Sequence, residues 1–136
     1  MSLILTTYGA AQILRAALRN IPFTIRYGLF QNEWTPTAYS TLTSVSPAVF
    51  SGYAGLLPVN LWSDPTIVGA YGTSSNPPLV WTRGPGLQSA YIFGYYAVDS
   101  VPELLWAERL DEYPALLAVP GDQYAVTPSF TETSRY

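Results

Sequence analysis

QSAYIFGYYAVDSVPELLWAERL, residues 88–110, reads as two strands around a proline-marked turn. In the first, Gln88–Val98, successive side chains point to opposite faces. Tyr91, Phe93 and Tyr95 then line one face, and Ile92, Tyr96 and Val98 the other. A strand apolar on both faces is sandwiched between layers or covers a partner. Asp99–Pro102 turns the chain. Leu104–Leu110 returns as a strand, with Leu104, Trp106 and Glu108 opposite Leu105, Ala107 and Arg109.

The same grammar extends in both directions. Downstream, Asp111–Pro114 is a break, Leu116–Val119 a short strand and Pro120-Gly121-Asp122 a turn. Gln123–Thr131 closes the pattern, with Tyr124, Val126 and Phe130 on one face. Upstream, Gly84-Pro85-Gly86 is a turn signal after the short strand Leu79–Arg83. Trp62–Pro78 is rich in Ser, Gly, Pro and Asn and reads as a long loop, with Thr66–Tyr71 open to pairing. Phe50–Leu61 carries Gly52, Gly55 and Pro58 and suits a bent or edge strand, because proline cannot donate to a ladder. Leu42–Val45 is a weak strand, and Phe23–Leu29 alternates as a half-buried one.

One segment has a different period. Ala10, Ile13, Leu14, Ala17 and Leu18 recur at three- and four-residue spacing, predicting a helix over Thr7–Arg19 with one apolar stripe. Thr6 or Thr7 supplies the N-cap, and Asn20 and Pro22 end the helix. Gln12, Arg15 and Arg19 fall on the outer side. The expected architecture is therefore mainly β: an antiparallel sandwich or barrel-like fold of about eight strands with one N-terminal α-helix. The 136 residues suit a single domain, 1–136, with no repeat or linker.

Composition excludes several kinds of chemistry. There is no Cys and no His, and the six cations are all Arg. A thiolate nucleophile, an imidazole base and a Schiff-base lysine are thus absent. Six scattered cations on a chain of net charge -3 make no phosphate-binding patch, so no nucleic-acid partner is expected. The start, MSLILTTYG, lacks the pattern of a signal peptide, and no apolar run approaches a membrane span.

The carboxylates Asp99, Glu103, Glu108, Asp111 and Glu112 lie within fourteen positions. A pair flanking a glycosidic bond could do acid–base work, but Glu103 and Glu108 fall on opposite faces of a strand. Calcium ligands from Asp99, Asp111, Glu112 and Asp122 are conceivable, although no loop has EF-hand spacing. Turn residues and solvated strand ends account for these positions better. Glu108 and Arg109 are expected to pair with cross-strand neighbours. No catalytic residue, cofactor or metal is assigned, and no enzymatic activity is expected.

The positive feature is aromatic content: 11 Tyr, 4 Trp and 5 Phe, with only 11% of residues charged against about 25% in ordinary domains. Trp106, Phe93 and Phe30 suit the core. Trp34, Tyr39, Trp62, Tyr71 and Tyr136 lie in expected loops or ends and are the candidate interface residues, buried against another chain. A sugar-binding platform of the same aromatics is the alternative.

GYYAVDSVPELLWAERL (Gly94–Leu110) and YAVTPSFT (Tyr124–Thr131) resemble segments of small tailed-bacteriophage virion structural proteins. TTYGAAQILRAALRN (Thr6–Asn20) is similar to that group's short opening helix, IRYGLFQNEWTPT (Ile25–Thr37) to its alternating strand and Asn/Thr/Pro loop, and FSGYAGLLPV (Phe50–Val59) to a segment that follows. The chain departs at Ser100–Glu103, where a glycine-containing turn is commoner. The resemblance implies a non-enzymatic virion component. A capsid decoration or cement protein comes first: a homo-oligomer, dimer or trimer, on the capsid exterior, bound to the major capsid protein after assembly in the host cytoplasm. A tail, baseplate or fibre component touching host glycan is the alternative. The nearly uncharged ends, Met1–Thr6 and Thr131–Tyr136, are placed to add a strand to a neighbour's sheet.

Overall fold

Thr6 organises the first elements. Its hydroxyl accepts from the Gly9 amide at 2.9 Å and so caps helix α1, Thr7–Arg19. Asn20, in the left-handed conformation (φ 52°), ends the helix, and the Arg15 carbonyl accepts from the Ile21 amide. The helix bounds match the sequence reading. In this computed structural model residues 3–69, 71–86, 89–111 and 114–133 are described, with Val68, Glu132 and Thr133 as backbone alone.

Twelve short strands occur among the described residues: β1 Ile4–Leu5, β2 Arg26–Phe30, β3 Leu57–Pro58, β4 Thr66–Val68, β5 Tyr71–Ser75 and β6 Leu79–Thr82, then β7 Ala90–Ile92, β8 Gly94–Val98, β9 Leu104–Arg109, β10 Ala115–Leu117, β11 Gln123–Val126 and β12 Ser129–Thr133. The fold is mainly β with one N-terminal helix, as expected, and every pairing is antiparallel. The central sheet has the order β1-β9-β8-β2-β3. Opposite it stand a three-stranded sheet, β12-β5-β4, and two strand pairs, β10-β7 and β11-β6. The second layer is thus divided, and no barrel closes among the described residues.

The central sheet is apolar on both sides. Tyr27, Leu29, Ala97, Leu105 and Trp106 join Trp81, Ile92 and Leu117 in the larger cluster. Phe30, Tyr96, Val98, Leu104 and Ala107 form the second, which Trp34, Leu42, Val45 and Leu56 cover.

Two local irregularities correct the expected alternation. The strand expected over Gln88–Val98, of which Gln88 lies outside the described residues, divides at Phe93, between β7 and β8. Ile92 therefore packs in the larger cluster, Phe93 against the second and Tyr95 back on the first. Phe93 and Tyr95 do not share a face. In β9, Ala97 pairs with Trp106 but Val98 pairs with Leu104, leaving Leu105 as a bulge. The bulge puts Leu105 and Trp106 in the same cluster, where strict alternation separates them.

Elsewhere the expected strand Leu42–Val45 is a 3-10 turn, Leu42–Ser44. The hydroxyls of Thr41 and Thr43 bond each other at 2.7 Å, a local alternative to ladder pairing. Of Phe50–Leu61 only Leu57–Pro58 is strand, at the sheet edge, because Gly52 and Gly55 bend the chain through positive φ. The expected loop Trp62–Pro78 contains the hairpin β4–β5, to which β12 adds. Of the ends expected to add a strand to a neighbour, the described parts pair within the chain, β1 with β9 and β12 with β5; residues 1–2 and 134–136 lie outside the described residues.

Candidate functional site

Helix α1 sits on the bulge. Thr6 donates its hydroxyl to the Leu104 carbonyl at 2.6 Å, and the Leu105 carbonyl accepts from the Thr6 amide at 3.0 Å. Gly9 lies directly over the Leu105 carbonyl, and a Cβ there would overlap its oxygen. On one flank, Tyr8 donates to the Asp99 carboxylate at 2.5 Å and Gln12 at 3.0 Å. Gln12, expected on the outer side, thus faces the β8–β9 turn. Arg15 reaches back to the Gln12 amide oxygen at 2.9 Å. The polar arc of the helix is directed to this flank.

The expected apolar stripe is only half used. Ile13 packs against the larger cluster, but Leu14 is 57% exposed, Leu18 77% and Ala17 exposed as well. The reason is the contact at Gly9: the sheet meets the helix there, so residues farther round the cylinder pass beyond its reach. Ile21, just past the helix end, is also exposed.

Beside this exposed face runs a groove of about 430 Å³, walled by Ile13, Ala17, Phe23, Trp62, Trp106 and Phe130 among others. The polar side chain on its wall, Ser74, donates to the Ser63 carbonyl at 2.6 Å. A second hollow continues past Phe23 and Trp62 towards Pro58 and Asn60. The groove thus offers apolar contact and little hydrogen bonding. Its floor is aromatic: Trp106 meets Phe130 at 5.8 Å and Tyr27 edge-on at 6.1 Å, and its indole donates to the Tyr27 hydroxyl at 2.9 Å.

The candidate interface residues do not form one surface in this way. Tyr39 is 84% exposed, and Tyr71, on β5, is half exposed. Trp34 packs edge-on against Phe30 at 5.1 Å, and Trp62 packs against the larger cluster while lining the groove. These two are partly buried in their own subunit despite lying in loops. Tyr136 lies outside the described residues. No ring contact joins any two of these aromatics among the described residues. Leu14 and Leu18, read from the sequence only as part of the helix's apolar stripe, are the exposed apolar pair; the breadth of that stripe is the available signal.

The carboxylates have structural partners. Asp99 is buried; its Oδ1 accepts from the Val101 and Glu103 amides at 3.1 and 3.0 Å. This carboxylate holds the Ser100–Glu103 turn without a glycine. Burial alone would raise its pKa, but the four hydrogen bonds outweigh that and lower it. The Tyr8 pKa is raised by its bond to the same carboxylate. Glu108 accepts from the cross-strand Tyr95 hydroxyl at 2.6 Å. Burial and that carboxylate push the Tyr95 phenol well above its usual pKa. Arg109 turns instead to the loop after β2, reaching Thr35 at 2.9 Å and Glu33 at 3.3 Å. Asp122 accepts from the Ala118 and Val119 amides. Among the described residues no three acidic side chains gather to hold a metal; Glu112 lies outside them. No helix among them is long and apolar enough to cross a membrane.

No family model matches the chain, and no curated protein matches its sequence.

Proposed function

We propose that this chain is a non-enzymatic virion structural protein, a capsid decoration or cement subunit that clips onto an assembled head. The observation that carries the reading is an apolar helix face beside an apolar groove with an aromatic floor. Such surfaces mark association, and this one is uncharged. Among the described residues the groove wall has no ionisable side chain to act on a substrate. The resemblance of Gly94–Leu110 and Tyr124–Thr131 to phage virion proteins supplies the setting. A clip that binds only the assembled shell stabilises it by mass action.

Co-sedimentation with empty heads of the same phage tests this. Binding at a copy number near that of the major capsid protein is the expected result. Binding to tails alone, or strong glycan binding without head binding, would overturn it.

A further inference from the structure

We infer that the groove beside α1, with the hollow that continues from it, is a binding site for a single-chain amphiphile carrying one carboxylate. The hydrocarbon chain lies in the groove and the carboxylate meets Arg26. The groove supplies the first half of the argument. At about 430 Å³ it falls within the range of small-molecule clefts, about 300–1,000 Å³. Its walls are rings and alkyl groups, and the Ser74 hydroxyl among them is already committed to the Ser63 carbonyl. Water there finds little to bond, so its displacement by hydrocarbon is favourable. A peptide strand is a poor occupant, because its backbone groups would go unsatisfied against these walls.

The second half is Arg26. It lines the second hollow, which shares Ala16, Phe23, Ile25 and Trp62 with the groove. Arg26 pairs with Pro58 across β2 and β3, and just beyond them the Val59 amide donates to the Ile25 carbonyl at 2.9 Å. This ladder places Thr24, Arg26, Pro58 and Asn60 on one side of the strand pair, and all four line the hollow. The hollow thus has a polar side, where the groove is almost wholly apolar. Arg26 is half-buried, and its Nε is buried without a hydrogen bond. Among the described residues no carboxylate pairs with it. A desolvated donor on an unpaired guanidinium favours a planar anion with two oxygens, which matches its fork of N–H groups. One cation suits a monoanion. The Thr24 and Asn60 side chains make no hydrogen bond among the described residues, and so can donate to the carboxylate's remaining lone pairs.

The inference goes beyond the proposed function and is tested apart from it, on the isolated full-length chain. Isothermal titration with dodecanoate, below its critical micelle concentration, is expected to show a single site per chain. Tryptophan emission is expected to shift to the blue as hydrocarbon replaces water beside Trp62. Dodecanol has the same chain without the charge and is expected to bind about tenfold more weakly. That comparison needs no variant. Arg26→Gln is expected to weaken dodecanoate about tenfold and to leave dodecanol unchanged. Ala17→Phe, at an exposed helix position on the groove wall, is expected to abolish the binding of both with the circular dichroism spectrum unchanged. Absence of dodecanoate binding, equal affinity for the acid and the alcohol, or undiminished binding by Ala17→Phe would overturn the inference.

Discussion

Gly9 rests on the carbonyl of Leu105, the bulged residue of β9, so closely that no side chain fits between them. Helix and sheet are in backbone contact there, and Thr6 bonds the same carbonyl from the preceding turn. Gly9→Ala is expected to destabilise the fold by about 1–3 kcal/mol, despite alanine's better helix propensity. Urea unfolding checks this; a stabilised variant would show that the helix moves freely.

Thr6 serves the cap and the bulge together. Thr6→Ala is expected to cost about 0.5–2 kcal/mol for the cap alone, and more because the Leu104 carbonyl loses its hydroxyl donor. Thr6→Ser keeps both bonds and is expected to restore most of the stability. Thermal melts of the three proteins separate these outcomes.

Trp106 is 1% exposed and central to the larger cluster. Trp106→Ala is expected to cost about 3–5 kcal/mol. Trp106→Phe retains a ring but leaves the Tyr27 hydroxyl without its indole donor, a loss of about 1–3 kcal/mol. A cost below about 1 kcal/mol for the alanine variant would contradict its buried position.

Asp99 links stability to acid. Its folded pKa is lowered, so the unfolded chain binds the proton more readily. The stabilisation is complete above the ordinary aspartate range, near pH 3.9, and is lost as pH falls through the lower folded value. Urea midpoints from neutral to acid pH are expected to fall less steeply in Asp99→Asn than in the wild type. Identical slopes would refute the assignment.

The alkaline limit has the opposite sign. Burial raises the Tyr96 and Tyr124 phenols to about 12. Stability is full below the ordinary tyrosine value, near 10, and declines as pH rises towards the folded values. Absorbance at the phenolate band is expected to show a late step coincident with loss of near-ultraviolet dichroism. Tyr96→Phe is expected to shrink that step.

Local signals carried most of the fold. Thr6, the three- and four-residue spacing and Asn20 delimit α1 by themselves, because caps act within one turn. The pair β8 and β9 was legible from alternating apolar residues about a proline. What escaped was non-local. The break at Phe93 and the bulge at Leu105 shift side-chain parity by one residue, and composition does not register such a shift. The β4–β5 hairpin, written in Thr, Ser and Gly, acquires its order from pairing with β12. The exposed helix face was concealed for a related reason. Five apolar positions on one stripe look like core until Gly9 shows how far round the sheet reaches. The aromatic loops misled in the other direction, since Trp34 and Trp62 fold back onto their own strands.

The bulge at Leu105 has one more effect. By clamping α1 at its first turn, it fixes the tilt of the whole helix on the sheet, so Leu14 and Leu18, farther along, stand in solvent by construction and not by fraying.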